Sequence, residues 1–259
     1  MTTKSFFVIT SIMITLLGCG STSNSDEWIT LFNGKDLNDW TVKVNHFESG
    51  DNYGNTFRVE DGMMKVRYDQ YEFTDEFGHI YYKTPFSNFH LTVDYRFSGE
   101  FEEGGPKHAV LNSGVMFHSQ SPGSMPKEQN WPVSVEMQYL ADLGDGKRTT
   151  GNMCSPGTNI EFEGETFPKH CLPSNKKALP KDEWVTAELI VQGENVSQYI
   201  NGELVLEYSN PTIDGKDRTV KGQTAEYKQG GKQLKSGYIA LQSEGQPIEF
   251  KNVKIKILD

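Results

Sequence analysis

Glu136 and Gln138 stand two residues apart in VSVEMQYL, residues 133–140. Side chains alternate along a strand, so a carboxylate and a carboxamide at that spacing share one face. Val133, Val135, Met137 and Tyr139 take the other face. The pair sets an acid or base beside a group that both donates and accepts hydrogen bonds. The arrangement recurs along the chain. Met116 and His118 oppose Val115 and Phe117, and Gln242 and Glu244 oppose Ile239 and Leu241. Asp94 and Arg96 alternate with Leu91, Val93, Tyr95 and Phe97, while His79, Tyr81 and Lys83 share one side. The wet face of an antiparallel sheet accounts for any one of these strands. The recurrence of Gln, Glu, His, Arg and Tyr points further, to hydrogen bonding and stacking with a sugar on a concave polar sheet.

The elements that must position these groups read as strands and loops, with almost no helical periodicity. Strands are expected at 57–59, 63–67, 78–83, 90–97, 113–118, 133–140, 184–192, 195–200, 203–208, 237–244 and 248–258. Asn201-Gly202 between alternating runs predicts a hairpin turn. The pattern predicts an all-β sandwich or jelly roll of two antiparallel sheets. Three stretches, 119–132, 141–183 and 209–236, exceed simple turns. Connections of that length are usually functional or flexible. The last reads equally as a mobile flap or a tolerated surface insertion.

The chain has 259 residues and a formal charge of −10, a balance that argues against a nucleic-acid partner. Its start is a secretory signal: a basic Met1–Lys4 segment, an apolar run from Phe6 to Leu17, then Leu16-Leu17-Gly18-Cys19, which resembles a bacterial lipobox. The expected organisation is a signal peptide over 1–18, a flexible tether over 19–25 lipidated at Cys19, and one domain over 26–259. The chain is thus expected in the cell envelope, touching membrane only through its lipid. No acidic residue directly follows Cys19, which, by resemblance to other lipoproteins, favours the outer membrane. Export leaves Cys154 and Cys171 in an oxidising compartment, where a disulfide is expected.

The opening WITLFNGKDLNDW, residues 28–40, resembles the start of the 3-keto-disaccharide hydrolase family. So do Asn112-Ser113-Gly114-Val115, Val135-Glu136-Met137-Gln138, Glu183-Trp184-Val185, Asn201-Gly202, Ile239-Ala240-Leu241-Gln242 and the ending Ile248-Glu249-Phe250-Lys251-Asn252-Val253. The resemblance runs in order through the whole mature chain. It implies a concanavalin-A-like jelly roll and cleavage of glycosides already oxidised to a ketone at sugar carbon 3. Where many members carry a His after the L-Q-x unit, this chain has Glu244.

That chemistry needs a base for the proton on carbon 2, an acid for the leaving oxygen and donors for the enolate oxygen. Glu136 or His118 is the expected base, with Glu244 as its acid/base partner. Gln138, Gln242, Asn112, Arg96 and, from the cysteine loop, Arg148 are expected to bind hydroxyls or the enolate oxygen. The substrate class is an oligosaccharide or a modified disaccharide. Two other readings stay open: a lipoprotein that binds glycan without consuming it, and a retaining glucanase. The second is disfavoured because no E-x-D-x-E pair accompanies Glu136, as the short retaining separation requires. The six histidines show no zinc spacing. No cofactor or catalytic metal is expected, and a structural calcium on loop carboxylates would suit the fold.

Overall fold

The computed structural model describes Met1 and residues 27–259. The expected signal peptide, Cys19 and the tether lie outside the described residues. Within them, seventeen strands pair only antiparallel and form a ten-stranded and a seven-stranded sheet. The expected all-β sandwich is the observed architecture.

The seven-stranded sheet carries the candidate site. Its order is Cys171–Leu172, Asn152–Cys154, Val135–Leu140, Asn112–Ser119, Tyr238–Ser243, Gly78–Tyr82 and Trp40–Val44. The ten-stranded sheet is built on Phe89–Phe97, flanked by Val185–Gln192 and Ile248–Ile257. Phe89–Phe97 alternates buried and half-buried along its whole length, as a strand with one face on a core must.

The core lies between the sheets. Val115, Phe117, Val135, Met137, Tyr139, Ile239 and Leu241 meet Leu91, Val93, Tyr95, Leu189, Phe250 and Ile255 across it. Tyr95 and Tyr139 stack at 4.1 Å and 4°. Each such side chain contributes about 1.5–3 kcal/mol by leaving water. This burial decides which faces point outward and so where Glu136 and Gln242 must go. At the hairpin turn Asn201 and Gly202 both take positive φ, 50° and 78°, the conformation that the Asn-Gly pair suits.

Six short strands escape the sequence pattern: Trp28–Thr30, Trp40–Val44 and, within 141–183, Asn152–Cys154, Thr158–Phe162, Glu165–Thr166 and Cys171–Leu172. They are two to five residues long, too short for alternation to show. Cys154 and Cys171 form the expected disulfide and face each other across adjacent strands.

Residues 209–236 are neither a simple loop nor a free flap. The strand Glu203–Ile213 takes up their beginning. The remainder folds back over the seven-stranded sheet on a small core of its own. There Val133, Ile213 and Val220 meet Trp131, Tyr227 and Leu234. Asn130 clamps it, donating to the Thr219 carbonyl at 3.1 Å and accepting from the Lys221 N–H at 2.8 Å. The Asp217 carboxylate accepts the Gly157 N–H.

Candidate active site

The outward face of the seven-stranded sheet holds a cavity of about 400 Å³. Glu136, Gln138, Asn112, Gln242 and Glu244 line it, together with His108, Trp131, Thr219, His170 and both disulfide cysteines. Five of the expected site residues therefore come from three adjacent strands and the end of one, placed by the inward packing of their neighbours.

Glu136 is 6% exposed and its Oε1 has no hydrogen-bond partner. Burial pushes its carboxyl up to about 8. Glu244 is 3% exposed with Oε2 unpartnered. Burial raises its carboxyl well above the usual range; the nearby Glu136 charge adds to this and Arg148 opposes it. His108 Nε2 lies 3.6 Å from Glu244 Oε1. Gln242 Oε1 and Asn112 Oδ1 are also buried without partners. The Asn112 amide donates to the His108 carbonyl at 3.2 Å. Gln138 is held differently: its Oε1 accepts from Asn152 at 3.0 Å, and Asn152 is fixed in turn by Thr149 and Ser174. Buried polar atoms are nearly always satisfied, so four unpartnered oxygens on residues that line one cavity mark it as a binding site. Two buried carboxyls, one of which raises the other further, are suited to proton transfer.

Three expected site residues lie elsewhere. His118 does not share the face of Glu136. Its backbone takes φ 46°, and the pairing with the neighbouring strand shifts between Tyr238 and Ala240. This irregularity re-aims the side chain. The imidazole sits beside Phe117 and Phe89, at ring separations of 5.5 and 6.4 Å, and lines a separate hollow with Pro85 and Tyr238. Burial lowers it to about 4. Arg96 belongs to the other sheet, on its outer face. It binds the Glu249 carboxylate at 2.5 Å and covers the Trp184 ring at 4.7 Å. Arg148 is beside the cavity rather than in its wall. Its guanidinium donates to the Val110 and Ala141 carbonyls, at 2.8 and 3.4 Å.

The profile of the 3-keto-alpha-glucoside-1,2-lyase-like domain matches residues 27–256. The chain belongs to this family. A 3-keto-disaccharide hydrolase of Bacteroides thetaiotaomicron is 26% identical over 250 residues, covering 91% of this chain and 80% of its own length. A candidate glycosyl hydrolase of Parabacteroides distasonis shares the fold at a TM-score of 0.54 and 22% identity, covering 90% of this chain and 94% of its own. A Bacillus subtilis protein with a galectin-like fold does so at 0.53 and 14%, covering 89% and 94%.

In this 3-keto-alpha-glucoside-1,2-lyase-like chain, the loops add what alternation does not reveal. Trp131, Thr219 and His170 reach the cavity from irregular segments, and His108 from the short 3-10 helix Lys107–Ala109. Gly114 carried a readable signal, since a glycine inside a strand marks a close approach. A Cβ there would meet Glu136 Oε1 at 2.6 Å and Cγ at 3.0 Å. Gly114→Ala is expected to displace the carboxyl and lower kcat by roughly 10²-fold with the fold retained. Steady-state kinetics beside a circular dichroism spectrum would check this, and undiminished kcat would remove Gly114 from the site. Among the described residues, the metal-ligating side chains whose donor atoms converge in a group of three are Cys154, His170 and Cys171. The disulfide ties up both sulfurs, and calcium prefers oxygen.

Proposed function

We propose that the protein cleaves glycosides bearing a ketone at carbon 3, by elimination and hydration in the Glu136–Glu244 cavity. One observation carries this reading: two buried carboxyls, the charge of Glu136 raising Glu244, share a sugar-sized cavity with unpartnered amide oxygens. The ketone acidifies the hydrogen on carbon 2. Glu136 takes that proton, and the electron pair forms the enolate. The enolate collapses to a double bond between carbons 1 and 2 as the glycosidic oxygen leaves. Glu244, whose proton is retained when Glu136 is ionised, protonates the leaving oxygen. Water then returns hydroxyl to carbon 1 and hydrogen to carbon 2, so the net reaction is hydrolysis. Gln242 and Asn112 hold hydroxyls, and Gln138 presents its amide from a fixed position.

The test is to incubate the protein with a 3-keto-disaccharide and with its unoxidised parent and follow free sugar. Release from the keto form alone is expected. Release from neither, with the protein folded, would sink the reading, and sugar bound without release would leave a glycan-binding protein. The pH profile follows from Glu136. A base must be deprotonated, so kcat/KM is expected to rise with pH and level off above about 8. A profile flat from pH 6 to 9 would contradict the assignment.

We propose too that the chain is exported and held by lipid at Cys19, supported by the Leu16-Leu17-Gly18-Cys19 segment and by the formed disulfide. Palmitate labelling that survives Cys19→Ala would refute it.

A further inference from the structure

Beside the cavity, the same sheet face continues from Gln242 into two polar residues, His79 and Lys43, that the proposed reaction does not use. Lys43 is in register with His79, and His79 with Gln242. All three point outward, because Val42, Val44, Ile80, Tyr82, Ile239 and Leu241 take the inward positions. Gln242 lines the cavity, so the row begins where the cavity floor ends.

His79 is fully buried, and neither ring nitrogen has a hydrogen-bond partner. Burial, with the nearby Lys43 charge, lowers it to about 3, so the ring is neutral. A neutral imidazole offers one donor and one acceptor, and both are unused here. Lys43 is 1% exposed and donates to the Val44 and Lys127 carbonyls at 2.8 and 3.0 Å. Two of the three ammonium N–H groups are thus taken. Trp131 stands over this row. Its ring meets His79 edge-on at 5.7 Å, leans on Phe77 at 4.6 Å and also lines the cavity. It is half-buried and lies outside regular strands, on the segment between Pro122–Ser124 and Val135–Leu140.

We propose that the Lys43–His79–Gln242 row is a second ring-binding subsite, which takes the hydroxyl-bearing sugar on the far side of the scissile bond, with Trp131 as its aromatic wall. The proposal rests on the sugar-cleaving reading of the Glu136–Glu244 cavity. The chemistry matches in each part. A sugar hydroxyl both donates and accepts, which satisfies both nitrogens of a neutral imidazole. The third Lys43 N–H is a donor for a hydroxyl or ring oxygen. An indole face suits the C–H face of a sugar ring. Because His79 is fully buried and Trp131 both touches it and lines the cavity, the indole must turn for the second ring to reach it. Occupation of the subsite therefore changes the surroundings of Trp131 as well as those of His79.

The test uses the full chain, with histidine ring nitrogens labelled with nitrogen-15. The probes are methyl glucoside, trehalose and cellobiose, with the 3-keto forms of each for turnover. The His79 signals are assigned from their loss in His79→Gln. At least one disaccharide is expected to shift the His79 ring signals and the Trp131 fluorescence, the latter assigned with Trp131→Phe; methyl glucoside is not. His79→Phe is expected to weaken disaccharide binding about tenfold, the worth of one hydrogen bond, with methyl glucoside affinity unchanged. His79→Gln, which keeps a donor and an acceptor, should restore part of the loss. Unmoved His79 signals at saturating disaccharide, no binding of either disaccharide, or equal losses for both ligand sizes would overturn the subsite. The two readings separate cleanly. Equal kcat/KM for methyl 3-keto-glucoside and 3-keto-disaccharide removes the subsite and keeps the cleavage. Disaccharide-specific His79 shifts without turnover of any 3-keto form keep the subsite and remove the cleavage.

Discussion

Glu136→Gln is expected to lower kcat by about 10²- to 10⁴-fold, the range that a positioned general base contributes. The substitution keeps the shape of the side chain and removes its proton chemistry, so the cavity and the fold should survive. KM should change little if Glu136 acts mainly on the carbon-2 proton. Single-turnover kinetics with a 3-keto-disaccharide would separate binding from chemistry. Turnover within a few-fold of the parent would transfer the base to another group. The same variant carries a thermodynamic signature. Glu136 holds its proton to about pH 8 when folded, whereas an exposed glutamate loses it near 4.5. The folded state therefore binds more protons between those values, and stability falls as pH rises through them. Glu244 acts in the same direction. His79, neutral when folded, acts oppositely below about 6.5, where the unfolded chain gains its proton. The net fall should be clearest from pH 6.5 to 8, and Glu136→Gln should flatten it. An unaltered slope in thermal melts would mean that the Glu136 carboxyl is not held neutral.

The second large effect concerns the cavity wall. Cys154 and Cys171 are separated by 17 positions, and loss of their bond in a Cys154→Ser/Cys171→Ser protein is expected to cost about 3 kcal/mol. For a domain of this size that lowers Tm by roughly 6–12 °C. Both cysteines line the cavity, and Ser155, directly after the Asn152–Cys154 strand, donates its N–H to the His170 carbonyl at 2.9 Å. The loss should therefore raise KM beyond what global destabilisation explains, measured well below Tm. Treating the parent with dithiothreitol should reproduce both changes. A melt unaffected by reductant would show that the strand pairing alone holds this wall.

Alternation made much of the cavity floor legible. Glu136 and Gln138 sit between inward-facing Val135, Met137 and Tyr139, and Gln242 follows inward-facing Leu241, so the burial of those neighbours fixes their side; Glu244 lies just past the Tyr238–Ser243 strand and keeps its period. Asn112 follows from the same alternation on the neighbouring Asn112–Ser119 strand. His118 was misplaced because period-two reading assumes an unbroken ladder. The register shift opposite it and its positive φ reset the period within two residues. Arg96 was misplaced for another reason. Alternation says which side of a strand is wet, and says nothing of which sheet the strand joins. The Phe89–Phe97 strand joined the other sheet, so its polar side faces away from the cavity. Trp131, Thr219 and His170 lie on irregular backbone, where neither period applies. His79 shared a side with Tyr81 as expected, but the sequence does not reveal that Trp131 would cover it.

The fold-back of residues 209–236 has a consequence for how this protein can change. It contributes Thr219 to the cavity, yet it is fastened chiefly by its own small core and by the Asn130 clamp. The main sandwich does not depend on it for its interior. The roof of the cavity and the stability of the scaffold are thus largely separate inheritances. Mutations can accumulate in one without taxing the other, so relatives should diverge in the sugar they select sooner than in how well they fold.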